Sequence, residues 1–504
     1  MKNTVRVILF LGIILGISYL FKDFIHSSLI ITYISYIMSF SVLFISMVIF
    51  LENRHPTTTL TWLVVLGSFP LVGFIFYLLF GRNFRKRRLY RKKYFLDKLT
   101  YHKYGLDRTD IEGHVEEMPP HQKKLFTLAH NIGNSPISFA SHTKVLTNGD
   151  ATFTQILDAL KKAKSHIHME YYIVRHDELG MEIKEILEEK AKEGVKVRFL
   201  YDAVGSWQLS KKYMADLKEA GVEVVPFGPV HFPVLSSKFN FRNHRKIIVI
   251  DGKLGFVGGL NIGDEYLGRV PSFGFWRDTH LMVVGEAVRT LQLIFLQDWY
   301  YMTNQNHLTA EYLPIPPQAD ETEGGVQILA GGPDNEHTVI KDIFFAMISS
   351  AKKSVYIASP YFIPDEDIFS ALRIAALSGV DVRLLIPKRP DKWIVFFASR
   401  SYFPELLEAG VKIYEYEKGF MHSKTVIVDE ELASIGTSNM DMRSFHLNFE
   451  VNAFLYRTGS TETLVHDFMQ DLTVSREILP ELFEKRHLGI RLLESTCRLL
   501  SPLL

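Results

Sequence analysis

This chain has very little cysteine and almost no net charge. A single cysteine, Cys497, occurs in 504 residues, so the chain forms no internal disulfide and suits a reducing compartment. The formal net charge is only +1, which excludes the strongly basic composition of a nucleic-acid binder. Paired cysteines and a His-x3-His spacing, the usual signatures of a zinc site, are also missing. The sequence therefore predicts no metal, no other cofactor and no nucleic-acid partner.

Charged residues are absent from long stretches near the N-terminus. Three apolar runs follow one another there: Val5 to Phe21, Leu29 to Leu51 and Leu60 to Phe80. About 20 apolar residues cross a bilayer core, and the second and third runs are too long and too uncharged for ordinary core helices. The first run is short enough to be a signal-like or re-entrant segment instead. The sequence predicts two or three transmembrane helices within residues 1–81.

No acidic residue interrupts the next segment, Gly81 to Lys93, which carries eight basic residues. Such a segment is typical of the cytoplasmic flank of a membrane span. It also attracts anionic lipid headgroups, by about 1 kcal/mol per basic residue near the surface. Both interpretations place the rest of the chain on the cytoplasmic side of an anionic membrane. Residues 82–138 are predicted to be a connector that is basic at first and then polar.

A pattern of histidine, lysine and aspartate occurs twice beyond the connector. Matched positions in the two copies lie 178 residues apart, as from position 244 to position 422. One such pattern arises by chance in many proteins, but two copies in register indicate a duplicated site. A glycine and an asparagine follow each copy at the same separation. The candidate catalytic residues are His244, Lys246 and Asp251 in the first copy, and His422, Lys424 and Asp429 in the second.

The spacing within each copy has a physical meaning. An apolar run after each lysine predicts a buried strand, and side chains two apart on a strand share a face at about 6.5 Å. That separation suits an imidazole and an ammonium group aimed at one phosphate, and the ammonium group would repel a metal ion. The aspartate has the opposite parity and is expected to hold local geometry. Close backbone approach and a neutral amide donor for phosphate are expected from Gly258, Asn261, Gly436 and Asn439.

Strands and helices alternate around each motif, which predicts an α/β fold with parallel or mixed sheets. The order repeats, and we place a first repeat at residues 139–320 and a second, with a C-terminal helix, at residues 321–504. The first repeat has eleven more residues before its motif, since Gly221 to His244 is longer than Gly410 to His422. This apolar, proline-rich insertion near residues 227–241 is either a mouth for acyl chains or an ordinary packed loop.

Two further apolar segments have alternative interpretations. Trp393 to Phe397 could dip into a bilayer surface, although a buried helix face is favoured. The tail from Leu488 to Leu504 has apolar residues at helical spacing with interspersed arginines. It is either an interfacial amphipathic helix or a helix that packs on the domain, and the sequence does not distinguish them.

The duplicated motif resembles that of the phospholipase D superfamily, and further segments are similar to bacterial cardiolipin synthases. The resemblance covers essentially the whole chain. It implies two tandem phospholipase D-like repeats, related by pseudo-twofold symmetry and preceded by transmembrane helices at the cell membrane. The segments that carry it are Asn243 to Ile247, Gly258 to Tyr266, Trp276 to His280, Gly436 to Glu450, Tyr201 to Ser206 and Pro360 to Asp365.

The resemblance also implies a chemistry. One histidine attacks phosphorus and forms a phosphohistidine, while the other acts in turn as acid and base. The superfamily usually takes its nucleophile from the first motif, which favours His244 as nucleophile and His422 as acid and base. Asp278 and Glu450 occupy analogous places and look like the acids that orient the histidines, although exposed turn carboxylates are the alternative.

A cardiolipin synthase uses phosphatidylglycerol as both donor and acceptor, and this reaction is expected here. The products would be cardiolipin and glycerol. A phospholipase D with water as acceptor, or another phosphatidyltransferase, is the alternative within the superfamily. An inactive lipid-binding scaffold is the alternative outside it. A scaffold would be expected to lack at least one motif histidine or lysine, and none is missing.

Overall fold

The computed structural model describes residues 118–228, 240–314 and 324–501, together with helix α1 (Pro56–Ser68) and further positions between residues 33 and 93. The chain divides into two units, residues 1–84 and 85–504, which are described separately. Most of the insertion predicted near residues 227–241 lies outside the described residues.

In the N-terminal unit the structure describes α1, a helix of 13 residues, which overlaps the beginning of the third apolar run. The first apolar run lies wholly outside the described residues, and so do 13 of the 23 residues of the second run and 10 of the 21 residues of the third. Within the part of the chain that is described, no helix has both the length and the apolar character needed to cross a bilayer.

The larger unit contains a seven-stranded mixed sheet. Its spatial order is β1-β8-β6-β5-β2-β3-β4, in which β2, β3 and β4 are parallel and the remaining pairs are antiparallel. A further strand, β7, lies outside this sheet. In chain order the strands are β1 (Ser141–Thr147), β2 (His166–Tyr171), β3 (Lys196–Asp202), β4 (Glu223–Phe227), β5 (Ile247–Ile250), β6 (Leu254–Gly258), β7 (Phe275–Arg277) and β8 (Thr279–Gly285).

An eight-stranded sheet repeats this order. It runs β9-β18-β16-β15-β10-β12-β13-β19, so its first seven strands match the first sheet one for one. The prediction of two α/β repeats with mixed sheets is confirmed. The strands are β9 (Gly325–Gly331), β10 (Ser354–Ala358), β11 (Phe362–Ile363), β12 (Asp381–Pro387), β13 (Lys412–Tyr416), β14 (Gly419–Met421), β15 (Thr425–Val428), β16 (Leu432–Gly436), β17 (Met440–Asp441), β18 (Glu450–Tyr456) and β19 (Ser475–Glu477).

Helices cover the sheets. Polar side chains begin several of them: the Asp177 carboxylate accepts the amide proton of Gly180, and the Ser210 hydroxyl accepts that of Tyr213. Beyond α1 the helices are α2 (Pro120–Gly133), α3 (Asn148–Lys161), α4 (Glu178–Lys192), α5 (Lys211–Glu219), α6 (Val288–Thr303), α7 (Val339–Ser350), α8 (Glu366–Leu377), α9 (Trp393–Arg400), α10 (Phe403–Glu408), α11 (Met442–His446), α12 (Gly459–Thr473), α13 (Pro480–Glu484) and α14 (Leu488–Arg498).

One apolar core joins the two sheets. The motif strands contribute alternate residues to it, such as Val249 from β5 and Ile427 from β15, and both side chains are fully buried. Helix α2, within the predicted connector, packs on the second repeat through Leu125 and Phe126. The two repeats therefore share an interior, which fixes the ends of their motif strands relative to each other.

The motif aspartates hold the turn after each motif strand. Asp251 and Asp429 both have a left-handed backbone, with φ of 54° and 53°. Each carboxylate accepts backbone N–H groups where the neighbouring strand begins, at a closest distance of 2.7 Å for Asp251. This agrees with a local structural role for both residues. The donors are Lys164, Ser165 and His166 for Asp251, and Lys352, Lys353 and Ser354 for Asp429.

Replacing Asp251 by Asn should destabilise the catalytic unit. An amide keeps one acceptor oxygen but replaces the other by a donor, which faces N–H groups that need an acceptor. We expect a loss of about 1–2 kcal/mol at pH 7, because the site is partly exposed. Burial raises the pKa of Asp251, but the backbone N–H groups outweigh it and the net shift is downward. The stabilisation is therefore present above the ordinary carboxyl pKa and is lost as pH falls through the lowered value.

Denaturant unfolding of the detergent-solubilised protein would measure the difference. The difference in the free energy of unfolding between the wild type and Asp251→Asn should become smaller below about pH 4, where the wild-type carboxylate begins to protonate. Asp158→Asn on the exposed face of α3 is the control and should change stability by less than about 0.5 kcal/mol. A gap for Asp251→Asn no larger than that of the control would contradict the role.

Candidate active site

The motif histidines and lysines lie in extended segments immediately before β5 and β15. All four side chains are buried or nearly so. Lys246 donates a hydrogen bond of 2.7 Å to the carbonyl of His244, and Lys424 donates in the same way to the carbonyl of His422. Each histidine is therefore held beside the ammonium group two residues further on.

A short parallel pairing between the repeats brings one histidine to a carboxylate. Strand β7 of the first repeat pairs with β14 of the second, and the ladder continues with the His422 N–H donating to the Arg277 carbonyl at 2.7 Å. The next residue after Arg277 is Asp278, and its Oδ2 lies 2.6 Å from Nδ1 of His422. The acid of the first repeat therefore contacts the histidine of the second.

The same crossing occurs in the opposite direction. The His244 N–H donates to the Phe449 carbonyl at 2.9 Å, and the Phe449 N–H donates to the Arg242 carbonyl at 2.9 Å. Glu450 follows Phe449, and its Oε2 lies 2.9 Å from Nδ1 of His244. Each histidine is thus oriented by a carboxylate from the other repeat, and the site requires both repeats.

These contacts define the state of each imidazole. On His244, a proton on Nδ1 faces the carboxylate, which leaves the lone pair of Nε2 available for substrate. Nδ1 of His422 lies 2.6 Å from Asp278 and 2.9 Å from Nζ of Lys424, and the shorter contact assigns its proton to the carboxylate side in the same way. Burial, opposed by Glu450, lowers the pKa of His244 to about 4. Burial together with the neighbouring Lys424 lowers the pKa of His422 to about 3. Both rings are therefore neutral at pH 7, and the negative charge of a bound phosphodiester would raise the pKa of each.

The two lysines supply adjustable positive charge. Burial lowers the pKa of Lys246 to about 7, against the opposing effect of Glu450. It lowers the pKa of Lys424 to about 8, against Asp278 and Glu450. Burial raises the pKa of Asp278, but Lys424 and His422 outweigh it, so this carboxyl stays ionised. Across the described ranges, no three His, Cys, Asp or Glu side chains are grouped as metal ligands.

The two predicted asparagines are each held by a hydroxyl group. Nδ2 of Asn261 donates to the Tyr266 hydroxyl at 3.2 Å, and Nδ2 of Asn439 donates to the Ser444 hydroxyl at 3.3 Å. An amide nitrogen carries two hydrogens, so one remains on each for a phosphate oxygen.

The two predicted glycines have a packing role. A Cβ on Gly258 would approach His280 to 2.5 Å, and one on Gly436 would approach the Val451 carbonyl oxygen to 2.4 Å. Both are contacts between neighbouring strands, so a side chain at either position would force the strands apart.

Several residues near the histidines were not predicted. Nδ2 of Asn448 donates to Oε1 of Glu450 at 3.1 Å and so fixes the acid that orients His244. A Cβ on Gly259 would come within 2.0 Å of the Asp278 carboxylate, so only glycine leaves room for that acid. The ring of Tyr172 lies 4.9 Å from that of His244. Its position one residue beyond the parallel strand β2 is the signal that could have identified it.

A buried cation from the basic segment lies behind the site, which corrects one expectation. Lys93 was grouped with residues that attract lipid headgroups, yet its side chain is buried. Its Nζ lies 3.1 Å from Asp298 and 3.0 Å from Asp334. Asp298 also binds the guanidinium of Arg245, whose Nε donates to the Glu450 carbonyl at 3.1 Å. Lys93 therefore faces the interior because two buried carboxylates require a cation there.

Comparison with known proteins identifies the family. The family described as "Cardiolipin synthase, PLD-like domain" matches residues 156–299 and 344–472, which together contain both motifs and both orienting acids. This chain belongs to the cardiolipin synthase family of phospholipase D-like proteins. A second family, described as phospholipase D-nuclease N-terminal, matches residues 39–82.

Relatives in the cardiolipin synthase family match the chain over its length. It is 63% identical to a protein named cardiolipin synthase from Geobacillus sp. (strain WCH70), with 100% of both chains covered. It is 64% identical to a protein named cardiolipin synthase 2 from Bacillus anthracis, over 92% of this chain and 90% of the relative. The solved structure of phosphatidylserine synthase from Haemophilus influenzae Rd KW20 matches 76% of this chain and 100% of its own, with a TM-score of 0.56 and 15% identity, which shows a shared fold.

The buried lysines predict an alkaline limb in the pH dependence. With a short-chain, monomeric phosphatidylglycerol, kcat/KM should fall as pH rises through about 7 to 8, where the lysines lose their charge. In the complex the phosphate stabilises the ammonium form, so the corresponding limb in kcat should lie at higher pH. Lys246→Arg keeps its positive charge at alkaline pH. The activity that remains in this variant should therefore show a decrease in kcat/KM that begins at a higher pH than in the wild type. A wild-type limb above pH 9 would contradict this assignment.

Replacing Glu450 by Gln should reverse the orientation of the His244 proton. An amide N–H facing Nδ1 favours the tautomer with the proton on Nε2, which removes the nucleophilic lone pair. By analogy with an aspartate-to-asparagine change in a protease triad, kcat should fall by about 10³–10⁴-fold. Circular dichroism would verify the fold of the variant. A loss of kcat smaller than tenfold would show that Glu450 does not set the tautomer.

Proposed function

We propose that this chain is a cardiolipin synthase that transfers the phosphatidyl group of one phosphatidylglycerol to a second, forming cardiolipin and releasing glycerol. The observation that carries this proposal is the pair of imidazoles, each with Nδ1 on a carboxylate and Nε2 available, beside two buried lysines. Close relatives with the name cardiolipin synthase support it.

In the first step Nε2 of His244 attacks phosphorus of the donor. A P–N bond forms and the P–O bond to the headgroup glycerol breaks. Nε2 of His422, which gains its proton when the anionic phosphodiester is bound, transfers that proton to the departing glycerol oxygen. The products of this step are free glycerol and a phosphatidyl group covalently attached to His244.

In the second step a hydroxyl of the acceptor phosphatidylglycerol enters where glycerol left. His422, now neutral, accepts its proton while the oxygen attacks phosphorus. The P–N bond breaks, and its electron pair returns to Nε2 of His244. Lys246 and Lys424, with the free amide hydrogens of Asn261 and Asn439, stabilise the negative charge on the phosphoryl oxygens in both transition states.

The cellular setting is part of the proposal. The apolar runs in residues 1–81 would anchor the chain in the cell membrane, and the basic residues after them would keep residues 139–320 and 321–504 at the cytoplasmic face. The phospholipase D-nuclease N-terminal match at residues 39–82 supports treating this region as part of the family's architecture. The lipid substrates would then be abundant beside the site.

The acceptor distinguishes this reaction from its alternatives. Water in place of the second lipid would make the protein a phospholipase D, and another alcohol would make it a different phosphatidyltransferase. Purified protein in phosphatidylglycerol liposomes containing EDTA should produce cardiolipin and glycerol in equal amounts. Phosphatidic acid with glycerol would establish hydrolysis instead, and no turnover would favour a scaffold.

The two histidines can be assigned by the choice of leaving group. A phosphatidyl ester of p-nitrophenol loses its leaving group without protonation, so the first step needs only the nucleophile. His422→Ala should therefore release a burst of p-nitrophenol and retain a phosphatidyl adduct detectable by intact-mass spectrometry. His244→Ala should show neither, and both variants should make no cardiolipin from phosphatidylglycerol. The opposite pattern would assign the nucleophile to His422.

A further inference from the structure

The two repeats expose tryptophan at equivalent places. Trp62, Trp276 and Trp299 are at most 6% exposed, whereas Trp207 is 68% exposed and Trp393 is 59% exposed. Trp207 follows β3 and Trp393 follows β12, which occupy the same position in the two sheets. Exposure of a large aromatic ring in water is unfavourable, and here it occurs in both halves of a duplicated fold.

The segments that lead from β3 to Trp207 and from β12 to Trp393 both contact the surroundings of the candidate active site. Asp202 ends β3, and its carboxylate accepts the backbone N–H of Asn243, the residue before His244, at 2.9 Å. Asp391, two residues before Trp393, accepts a hydrogen bond from the Tyr361 hydroxyl. The same carboxylate is close enough to Lys424 to raise the pKa of that ammonium group against the larger effect of burial. The segments that carry the two exposed rings therefore both start from residues that contact the candidate site.

Exposed basic side chains are close in sequence to both rings. Tryptophan is enriched where apolar and aqueous phases meet, and basic side chains are attracted to anionic lipid headgroups. This combination fits the interface of an anionic bilayer. The exposed cations are Lys211 and Lys212 after Trp207, and Lys388, Arg389 and Lys392 before Trp393.

Helix α14 packs against α9 and contributes Leu493 and Cys497 to the core, yet it also has apolar residues on its outward side. Its buried side carries Glu494, which forms ion pairs with Arg486 at 3.1 Å and Arg400 at 3.6 Å. Its outward side carries leucines, although a surface helix of a water-soluble domain normally turns such residues inward. Of the two alternatives for the tail, the structure shows the helix that packs on the domain, and this helix also presents an apolar face outward. The outward leucines are Leu488 and Leu492 in the helix and Leu499 directly after it, which are 66%, 60% and 69% exposed.

We propose that these side chains form a membrane-docking surface, made of Trp207, Trp393 and the outward leucines of α14. Its occupant is the headgroup and upper acyl region of an anionic phospholipid bilayer. The surface would hold the entrance of the site against the lipid it draws on, and the inference rests on the proposed function only for the identity of that lipid. A second copy of the chain fits less well, since the basic side chains beside the rings would face each other across a symmetric contact.

Depth-dependent fluorescence quenching tests the surface in the full-length protein. A Cys497→Ala background would carry one bimane-labelled cysteine at position 207, 393 or 492, reconstituted in liposomes with phosphatidylglycerol and bromine-labelled lipids. Leu377, an equally exposed apolar residue at the end of α8, is the control position. All three labels should be quenched and the control should not. If any of the three labels stays as bright as the control, the proposal is overturned. It is also overturned if a label becomes inaccessible to water-soluble quenchers without being quenched by the brominated lipids, which is the result expected for contact with a second copy of the protein.

Activity provides a second, independent readout. Trp207→Ala and Trp393→Ala should each raise the interfacial KM for phosphatidylglycerol liposomes about tenfold, with Trp→Phe retaining most of the affinity. Turnover of a monomeric short-chain phosphatidylglycerol in detergent should be unchanged, because these rings do not contact the histidines. Equal losses on both substrates, or none on liposomes, would overturn the surface. Hydrolysis by the wild-type protein would refute the proposed function and leave the quenching result valid.

Discussion

Each histidine depends on a carboxylate that belongs to the other half of the chain. The contact between His422 and Asp278, and its counterpart between His244 and Glu450, exist only because short backbone pairings cross between the repeats. Neither half contains a complete histidine–acid pair. The shared core, the glycines that let strands approach and the aspartates that fix the turns all serve to keep these crossings in register.

The charges around the histidines are balanced before substrate enters. Two ammonium groups face two carboxylates, and both imidazoles are neutral because burial disfavours their charged form. In the proposed mechanism a phosphodiester would add one negative charge, and the proton that one imidazole would acquire compensates for it. Binding of the anion and protonation of the acid would then be coupled.

The sequence identified the parts that depend on local order. Apolar runs after each lysine predicted the motif strands, and the constant separation of the motifs predicted two similar sheets. It could not assign Asp278 to His422, because that contact follows from a three-residue pairing between β7 and β14. It also did not reveal Asn448 or Gly259, whose roles come from the space around a carboxylate. Lys93 was misread because composition does not distinguish a cation facing lipid from one that neutralises Asp298 and Asp334.

The buried position of Lys93 bears on how the catalytic unit can be isolated. A fragment that began just before α2 would contain both sheets and every helix named above except α1. Such a fragment would lose the cation shared by Asp298 and Asp334, and removing one partner of a buried pair costs about 3–5 kcal/mol. It would also lose the ring of Tyr90, which packs edge-on against Phe449, next to Glu450. A soluble fragment intended for crystallisation should therefore begin ahead of Tyr90.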